Sequence, residues 1–373
     1  MFNSKYAKYA ISKSLVIALI VVIVVGVFSG FYMLTQTGVP TPKPAKTGYI
    51  TITDMAGRTV EVPRPVKTVV TTIPDALRLV VMFGSVDKVV GVTSYVDKYG
   101  SKMPCVIAYP ELLNVARIGM AREIDVEKIA EVNPDVVFLY TPYADLADTI
   151  EKNAGVPVVC VNIPSDSPEG LYKALRIVGK VLGEEKKAEE IINYFKAELA
   201  KIESITSTIP EDKRPKVYLA NWAYRHGVGW TTKSYWPLEL AGGVNVAKDI
   251  PAHYMEVTKE EIVGWNPDVI LIHGYKGKAA VNEILNDPAL QTVNAVKEKK
   301  VYGCLGPYIG NDPASMLVDT YHIAKLLYPE KFADLDIMAK GEEIYQNLYG
   351  KPDLFKTMLQ TRGLYLTDEL TPQ

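Results

Sequence analysis

The chain contains few of the residues that usually carry catalysis or hold metals. Its 373 residues include three cysteines, Cys105, Cys160 and Cys304, without a Cys-x-x-Cys pair, and four histidines, no two of which share one helical turn. An odd and scattered set of cysteines argues against a disulfide framework and against a zinc-thiolate site. Three small buried residues are the simplest interpretation of the cysteines, and one disulfide among them is the alternative.

Catalytic signatures are also missing. The sequence has no Gly-x-Ser-x-Gly elbow, no His-Glu-x-x-His, no phosphate-binding loop and no Gly-x-Gly-x-x-Gly after a strand. A net charge of −2 gives no electrostatic case for binding nucleic acid. The 48% of apolar residues is enough for the cores of two or three domains. These observations predict a binding protein and not an enzyme.

The N-terminal segment, residues 1–34, predicts a membrane anchor. Lys5, Lys8 and Lys13 precede an uncharged run from Leu15 to Leu34, which as a helix of roughly 30 Å is long enough to cross a bilayer. Positive charge before the run keeps that end in the cytoplasm and places the rest outside. A cleaved signal peptide is the alternative, although the apolar run is longer than is usual for one.

A spacer follows at residues 35–48, rich in Thr, Pro, Lys and Gly, with Pro40, Pro42 and Pro44 at alternate positions. Such a composition favours an extended, polyproline-like conformation. We expect it to hold a soluble domain away from the membrane. No cysteine follows the apolar run closely enough to carry a lipid anchor.

The soluble part contains an internal repeat. Residues 127–137 read EKIAEVNPDVV and residues 260–270 read EEIVGWNPDVI. Each copy predicts a short amphipathic helix that ends at Asn-Pro-Asp and leads into a buried β-branched strand. Two copies about 130 residues apart predict two lobes of similar design with a cleft between them.

Strands alternate with helices on both sides of one purely helical region, which predicts an α/β fold with two β-α lobes around mostly parallel sheets. The predicted lobes cover residues 49–166 and 207–350. Residues 167–206 predict a single long connector helix, in which Gly183 is a potential break. The tail at residues 351–373 has no clear structural signal.

The loops that follow the strands are unusually aromatic, and such loops bind ligands in open α/β folds. Broad aromatic faces with polar tips suit a flat or ring-shaped ligand. The alternative is that these side chains pack the lobe edges. The predicted ligand-binding residues are Thr72, Arg117, Met120, Tyr140, Tyr143, Trp222, Tyr224, His226, Trp230, Tyr254, Tyr275 and Tyr308.

Several ordered motifs resemble one known family. The stretches are Thr51–Pro63, Val66–Val70, both Glu…Asn-Pro-Asp segments, Leu240–Ala247 and Asn294–Tyr302. They resemble the class III solute-binding proteins of ABC importers for iron-siderophore, haem and cobalamin. The resemblance implies two lobes joined by one long helix, modest closure on the ligand, and one glutamate per lobe that docks on the importer. These glutamates fall on Glu127 and Glu260.

The leading interpretation is an extracytoplasmic substrate-binding component of an ABC importer. It captures an iron chelate, or a related corrinoid or haem, and delivers it to a permease and its ATPase; we expect a monomer without a resident cofactor. The first alternative is a binding protein for a bare metal ion held by His226, His253 and His273. The second is a membrane-anchored sensor or metalloenzyme on the same scaffold.

Overall fold

The computed structural model describes residues 48–221, 227–273 and 278–364. The predicted membrane anchor at residues 1–34 and nearly all of the spacer lie outside the described residues. Within the described residues no helix is both long and apolar enough to cross a membrane.

The described chain contains short strands and helices in alternation. The strands are β1 (Tyr49–Thr53), β2 (Thr59–Pro63), β3 (Val69–Thr71), β4 (Val89–Val92), β5 (Ala116–Arg117), β6 (Gly119–Met120), β7 (Glu123–Ile124), β8 (Val136–Tyr140), β9 (Val158–Val161), β10 (Lys216–Ala220), β11 (Trp230–Thr232), β12 (Val244–Asn245), β13 (Tyr254–Glu256), β14 (Val269–His273) and β15 (Val301–Cys304). The α-helices are α1 (Pro74–Met82), α2 (Tyr95–Tyr99), α3 (Pro104–Ala108), α4 (Val126–Val132), α5 (Ala147–Ala154), α6 (Pro168–Leu182), α7 (Glu185–Thr206), α8 (Trp236–Leu240), α9 (Lys259–Trp265), α10 (Lys278–Leu285), α11 (Asn294–Lys297), α12 (Pro313–Leu327), α13 (Ile337–Tyr349) and α14 (Leu354–Arg362).

The first lobe is built on a parallel sheet with the strand order β5-β4-β3-β8-β9. Its central strands are continuous apolar runs, and β3 and β9 are buried along their whole length. This pattern is expected where helices cover both faces of a parallel sheet. An antiparallel hairpin of β1 and β2 precedes the sheet, with its turn at residues 54–58.

The second lobe repeats this design with additions. Strands β12, β10, β14 and β15 are parallel, whereas β11 pairs antiparallel with β10, and β13 pairs antiparallel with β11. All five residues of β14 are buried. The expectation of two β-α lobes with mostly parallel sheets is therefore confirmed.

The repeated Asn-Pro-Asp ends both amphipathic helices in the same way. Asn133 and Asn266 cap α4 and α9 in the left-handed conformation, with φ of 43° and 46°. Asparagine is one of the few residues besides glycine that adopts this conformation readily. The following proline then prevents the helix from continuing.

The aspartates of the repeat fasten the neighbouring strand. Asp135 Oδ2 accepts hydrogen bonds from the backbone N–H groups of Lys67 and Thr68, at 2.6 and 2.9 Å. In the second lobe Asp268 Oδ2 accepts from the N–H of Lys216 at 2.9 Å. Each aspartate therefore sets the register at the start of the first strand of its lobe, and the motif is structural.

The connector differs from the predicted single helix. Gly183 ends α6 with a φ of 77°, and α7 starts again at Glu185. The two helices fold back on each other, since Arg176 on α6 pairs with Glu189 on α7 at 2.7 Å. Of these two helices, α7 is the one that runs from one lobe to the other. The Lys187 ammonium near its start donates to Phe83 O, and the Thr206 hydroxyl at its end donates to Leu240 O.

The C-terminal helices return to the first lobe, which the sequence did not predict. The segment assigned to a tail of uncertain structure contains α14, and Arg362 at its end donates from Nε to Lys102 O at 2.8 Å. Tyr109 of the first lobe donates to Tyr349 O at the end of α13 at 3.0 Å. The last two helices therefore form a second connection between the lobes.

A buried arginine makes a third connection. The fully buried Arg78 on α1 donates to the backbone oxygens of Tyr308, Ile309 and Asn311, which follow β15 in the second lobe. Asp75 on the same helix accepts from Asn311 N and from Ile163 N, both at 3.1 Å. We call Asp75, Arg78 and residues 308–311 the interlobe clamp.

Candidate ligand-binding cleft

Two tyrosines mark the cleft end of the first-lobe sheet. Tyr140 is the last residue of β8, and Tyr143 lies in the 3-10 helix that follows. Their rings meet edge to face with centroids 5.1 Å apart, a favourable arrangement for aromatic pairs. The Arg122 guanidinium lies 5.2 Å from the centroid of Tyr143 and pairs with Asp145. Both tyrosines are partly exposed at the carboxyl end of this sheet, the edge at which open α/β folds bind ligands.

The second lobe contributes Trp230 and Tyr254 from strands, where the sequence predicted loops. Strand β11 pairs with β13 in antiparallel register, with Trp230 opposite Glu256 and Thr232 opposite Tyr254. His253 directly precedes β13, and its Nε2 lies 3.2 Å from the Ser165 hydroxyl. Ser165 follows the last strand of the first lobe, so this contact joins the lobes beside the cleft.

The phenols of both lobes influence one another. Burial raises the pKa of Tyr140, and Asp75, Tyr254 and Tyr143 raise it further. Burial also raises the pKa of Tyr254, while a hydrogen bond to Ser165 partly offsets this. Tyr140 from the first lobe and Tyr254 from the second therefore share one environment, and both phenols stay protonated at neutral pH.

Asp75 is the acidic member of this environment. Burial raises its pKa to about 6, although the Arg78 guanidinium and the N–H groups of Ile163 and Asn311 pull it back toward its ordinary range. Sequence reasoning did not select Asp75 or Ser165 as site residues. The available signal was their position, since each lies four residues after the end of a strand and directly after a proline.

Four predicted ligand residues have other roles or positions. The Thr72 hydroxyl is buried and donates to Phe138 O. The Arg117 guanidinium pairs with Asp97 at 2.7 Å and donates to two backbone oxygens of its own lobe. Tyr308 is 8% exposed within the interlobe clamp, whereas Met120 is 41% exposed.

Four further predicted ligand residues, Trp222, Tyr224, His226 and Tyr275, lie outside the described residues. Of the three histidines proposed for a bare metal ion, His226 is among them. The other two are not brought together: exposed His253 contacts Ser165, whereas buried His273 contacts Asn221. Burial lowers the pKa of His273 to about 3, so its imidazole is neutral.

Glu127 and Glu260 occupy equivalent positions. Each is the second residue of a seven-residue helix, α4 or α9, and each is exposed. Carboxylates in a first turn interact favourably with the helix dipole. Each lobe therefore presents an exposed glutamate at the equivalent position of its repeated helix.

Comparison with known proteins agrees with this architecture. A sequence model described as "Periplasmic binding protein" matches residues 69–307. The molybdate-binding protein MolA of Haemophilus influenzae is 28% identical over 331 residues, which cover 81% of this chain and 92% of MolA. The haem uptake protein IsdE of Staphylococcus aureus is 26% identical over 51% of this chain and 66% of its own length.

Solved structures share the fold. A periplasmic solute-binding protein of Veillonella parvula superposes with a TM-score of 0.67 at 21% identity, over 86% of this chain and all of the other. MolA bound to molybdate also gives a TM-score of 0.67, at 24% identity over 81% of this chain and 98% of MolA. The chain therefore belongs to the periplasmic binding protein family and is a class III substrate-binding protein of ABC transporters.

Proposed function

We propose that the protein captures an iron chelate, or a related corrinoid or haem, outside the cytoplasm and delivers it to an ABC permease. The observations that carry this proposal are the aromatic pair of Tyr140 and Tyr143 at the end of β8 and the proximity of Tyr254 from the second lobe, which helps to raise the pKa of Tyr140. A ligand seated there touches both lobes, and its binding favours their approach.

The protonation of the phenols favours a preassembled ligand over a bare ion. A bare ferric ion binds tyrosine as phenolate, and the raised pKa values of Tyr140 and Tyr254 oppose phenolate formation. A protonated phenol instead donates a hydrogen bond to the oxygens of a chelate or to a carboxylate of a tetrapyrrole. The tyrosine rings supply the apolar contact that a large ligand needs.

A compact oxyanion such as molybdate is the second candidate ligand. It is favoured by the 28% identity to MolA, which extends over 92% of that protein. The same phenols suit it, because O–H donors bind oxyanion oxygens as well as chelate oxygens. The two candidates differ in size, and only the larger ligand needs the aromatic faces of Tyr140 and Tyr143.

Ligand titration of the full chain tests the proposal. Tryptophan fluorescence and calorimetry are followed with a ferric hydroxamate, haem, cobalamin and molybdate. Tyr140→Phe and Tyr254→Phe each remove one hydrogen bond of about 1 kcal/mol, so we expect affinity to fall about fivefold. Tyr172→Phe, on α6 away from the cleft, is the matched control. Micromolar binding of molybdate alone would transfer the proposal to the oxyanion, and binding of none of the four would reject both.

We further propose that Glu127 and Glu260 dock on basic residues of the permease. Glu127→Ala and Glu260→Ala should leave ligand affinity intact and lower transport in proteoliposomes that contain the permease and ATPase. Glu203→Ala, an exposed glutamate of the bridging helix α7, is the control. Loss of ligand binding in either docking variant would place these residues in the cleft instead.

We propose that the run from Leu15 to Leu34 is an uncleaved anchor, which keeps the soluble domain at the outer face of the cell membrane. N-terminal sequencing of protein from the membrane fraction tests this assignment. An intact N-terminus supports the anchor, and a mature protein that starts beyond Leu34 supports a cleaved signal peptide.

A further inference from the structure

Three potential metal ligands meet beneath the cleft end of the second-lobe sheet. His273 ends β14, Cys304 ends β15, and the two residues lie opposite each other in the parallel register. Asp319 reaches the same place from α12. Their ligand atoms lie within 4.8 Å of one another, and all three residues are at most 2% exposed.

The imidazole of His273 is oriented as in metal sites. Its Nδ1 lies 2.7 Å from Asn221 Oδ1, and an amide oxygen only accepts, so Nδ1 carries the proton. The lone pair of Nε2 is left buried and has no hydrogen-bond partner among the described residues. A metal-binding histidine almost always donates its other N–H to an oxygen in this way.

The carboxylate of Asp319 is also oriented by neighbours. Its Oδ1 accepts from Leu305 N at 2.7 Å, and its Oδ2 accepts from Gly306 N at 2.8 Å and from the Tyr235 hydroxyl at 2.7 Å. These donors fix the carboxylate; Oδ2 already accepts two hydrogen bonds, and Oδ1, which accepts one, keeps a lone pair for a further interaction.

The charges of the cluster balance with a divalent cation. A carboxylate and a thiolate together carry two negative charges, which one divalent ion neutralises. A neutral assembly avoids the large free-energy cost of an uncompensated charge in the interior.

We propose that His273, Cys304 and Asp319 bind a divalent transition-metal cation of the zinc type as a resident ion of the second lobe. Nitrogen, sulfur and oxygen ligands in one set suit zinc and disfavour calcium and magnesium, which take oxygen ligands. Bonds of about 2.0–2.3 Å place tetrahedral ligand atoms roughly 3.5 Å apart. The most distant pair of ligand atoms, within 4.8 Å of each other, therefore needs to approach by about 1.3 Å at most.

The position of the site suggests what the ion does. Segments 222–226 and 274–277 start directly after Asn221 and His273. These segments contain Trp222, Tyr224, His226 and Tyr275, which the sequence predicts as ligand contacts. An ion bound to His273, with Asn221 hydrogen-bonded to the same ring, fixes the starting points of both segments. The ion is distinct from the transported ligand.

Cobalt binding to the full chain tests the proposal. The protein is treated with a chelator, dialysed and titrated with Co²⁺, which reports thiolate coordination through a charge-transfer absorption. We expect the protein to bind one equivalent of Co²⁺ with this absorption, and Zn²⁺ to displace it. We also expect the Tm to be higher with either ion than in the metal-free protein. Cys304→Ser should abolish the absorption, and Cys105→Ser, which alters a buried cysteine of the first lobe, should retain it.

A second variant covers the case in which Cys304→Ser does not fold. His273→Gln should lower Co²⁺ affinity at least tenfold. The site would be overturned if the wild-type chain did not bind Co²⁺ stoichiometrically. It would also be overturned if the absorption persisted in Cys304→Ser, or if the Co²⁺ affinity of His273→Gln were unchanged. These readouts use metal alone, so they are independent of whether the cleft binds an iron chelate.

Discussion

The interlobe clamp allows a quantitative prediction at Arg78. This guanidinium is fully buried on α1, donates to three backbone oxygens of the second lobe at 2.7, 3.1 and 3.2 Å, and lies 3.3 Å from the Asp75 carboxylate. Arg78→Met retains most of the side-chain volume and removes every donor. In the variant, three backbone oxygens and the buried Asp75 carboxylate lose their contacts with the guanidinium.

The expected cost follows from that inventory. Removal of one member of a buried ion pair costs about 3–5 kcal/mol, because the remaining charge stays buried. Protonation of Asp75 limits the penalty, so we expect about 4 kcal/mol. With a urea m-value of about 3 kcal/mol/M, the unfolding midpoint should fall by more than about 1 M.

The matched control is Arg64→Met. Arg64 also pairs with a carboxylate at 2.9 Å, that of Glu185, but its side chain is 41% exposed. Exposed pairs contribute about 0–1 kcal/mol, so the control midpoint should barely move. A cost below about 1 kcal/mol for Arg78→Met would refute the reasoning that the clamp holds the lobes together. The double variant with Asp75→Asn should recover part of the loss.

Further predictions concern the repeat and the buried acid. Asn133→Ala should cost about 1–2 kcal/mol, because alanine is disfavoured in the left-handed conformation, whereas Asn133→Gly should be nearly neutral. Asn266→Gly should cost about 1 kcal/mol more than Asn133→Gly, since Asn266 Oδ1 accepts from Asn294 N at 2.9 Å; equal effects of the two glycine variants would contradict this. Burial raises the pKa of Asp75 to about 6, so the folded protein binds this proton more tightly than the unfolded chain does. The resulting contribution to the free energy of unfolding, about 3 kcal/mol, is complete below about pH 4 and is lost as the pH rises through 6. In urea titrations at pH 4–7, Asp75→Asn should flatten that dependence; an unchanged slope would contradict the assignment. The groups around Asp75 are Arg78, Asp312, Tyr140 and Tyr254.

Four strands could be predicted from the sequence with accurate bounds. The mostly apolar runs at residues 136–140, 216–220, 269–273 and 301–304 predict strands, and the structure has strands at Val136–Tyr140, Lys216–Ala220, Val269–His273 and Val301–Cys304. Val136–Tyr140 and Val269–His273 are almost completely buried, and burial on both faces gives such runs a clear apolar signal. The two lobes followed from the same runs.

Elements that depend on distant partners were not predicted. Strand β11 has three residues and is defined by its antiparallel pairing with β13, 22 residues or more along the chain. Helix α14 carries a weak apolar pattern and is stabilised by contacts with the first lobe, such as that between Arg362 and Lys102. Local sequence does not encode either partner.

The same limit applies to the proposed site. Tyr140, Tyr143 and Tyr254 were selected because aromatic residues near the ends of strands are conspicuous. The buried polar residues Asp75 and Ser165 were missed because their importance arises from contacts that cross between the lobes. A sequence motif reports on neighbouring residues within one lobe and gives no information about contacts between the lobes.

The three connections between the lobes bear on how the ligand is selected. Helix α7, the interlobe clamp and the C-terminal helices join the lobes at separate points. A hinge with one connection allows wide opening, whereas three connections restrict relative motion to small displacements. A nearly preformed cleft cannot adapt its width to different ligands. In the proposed site, selectivity must then come from the side chains and loops at the ends of the strands, so Tyr140→Phe and Tyr254→Phe should change ligand preference more than variants of α7 do.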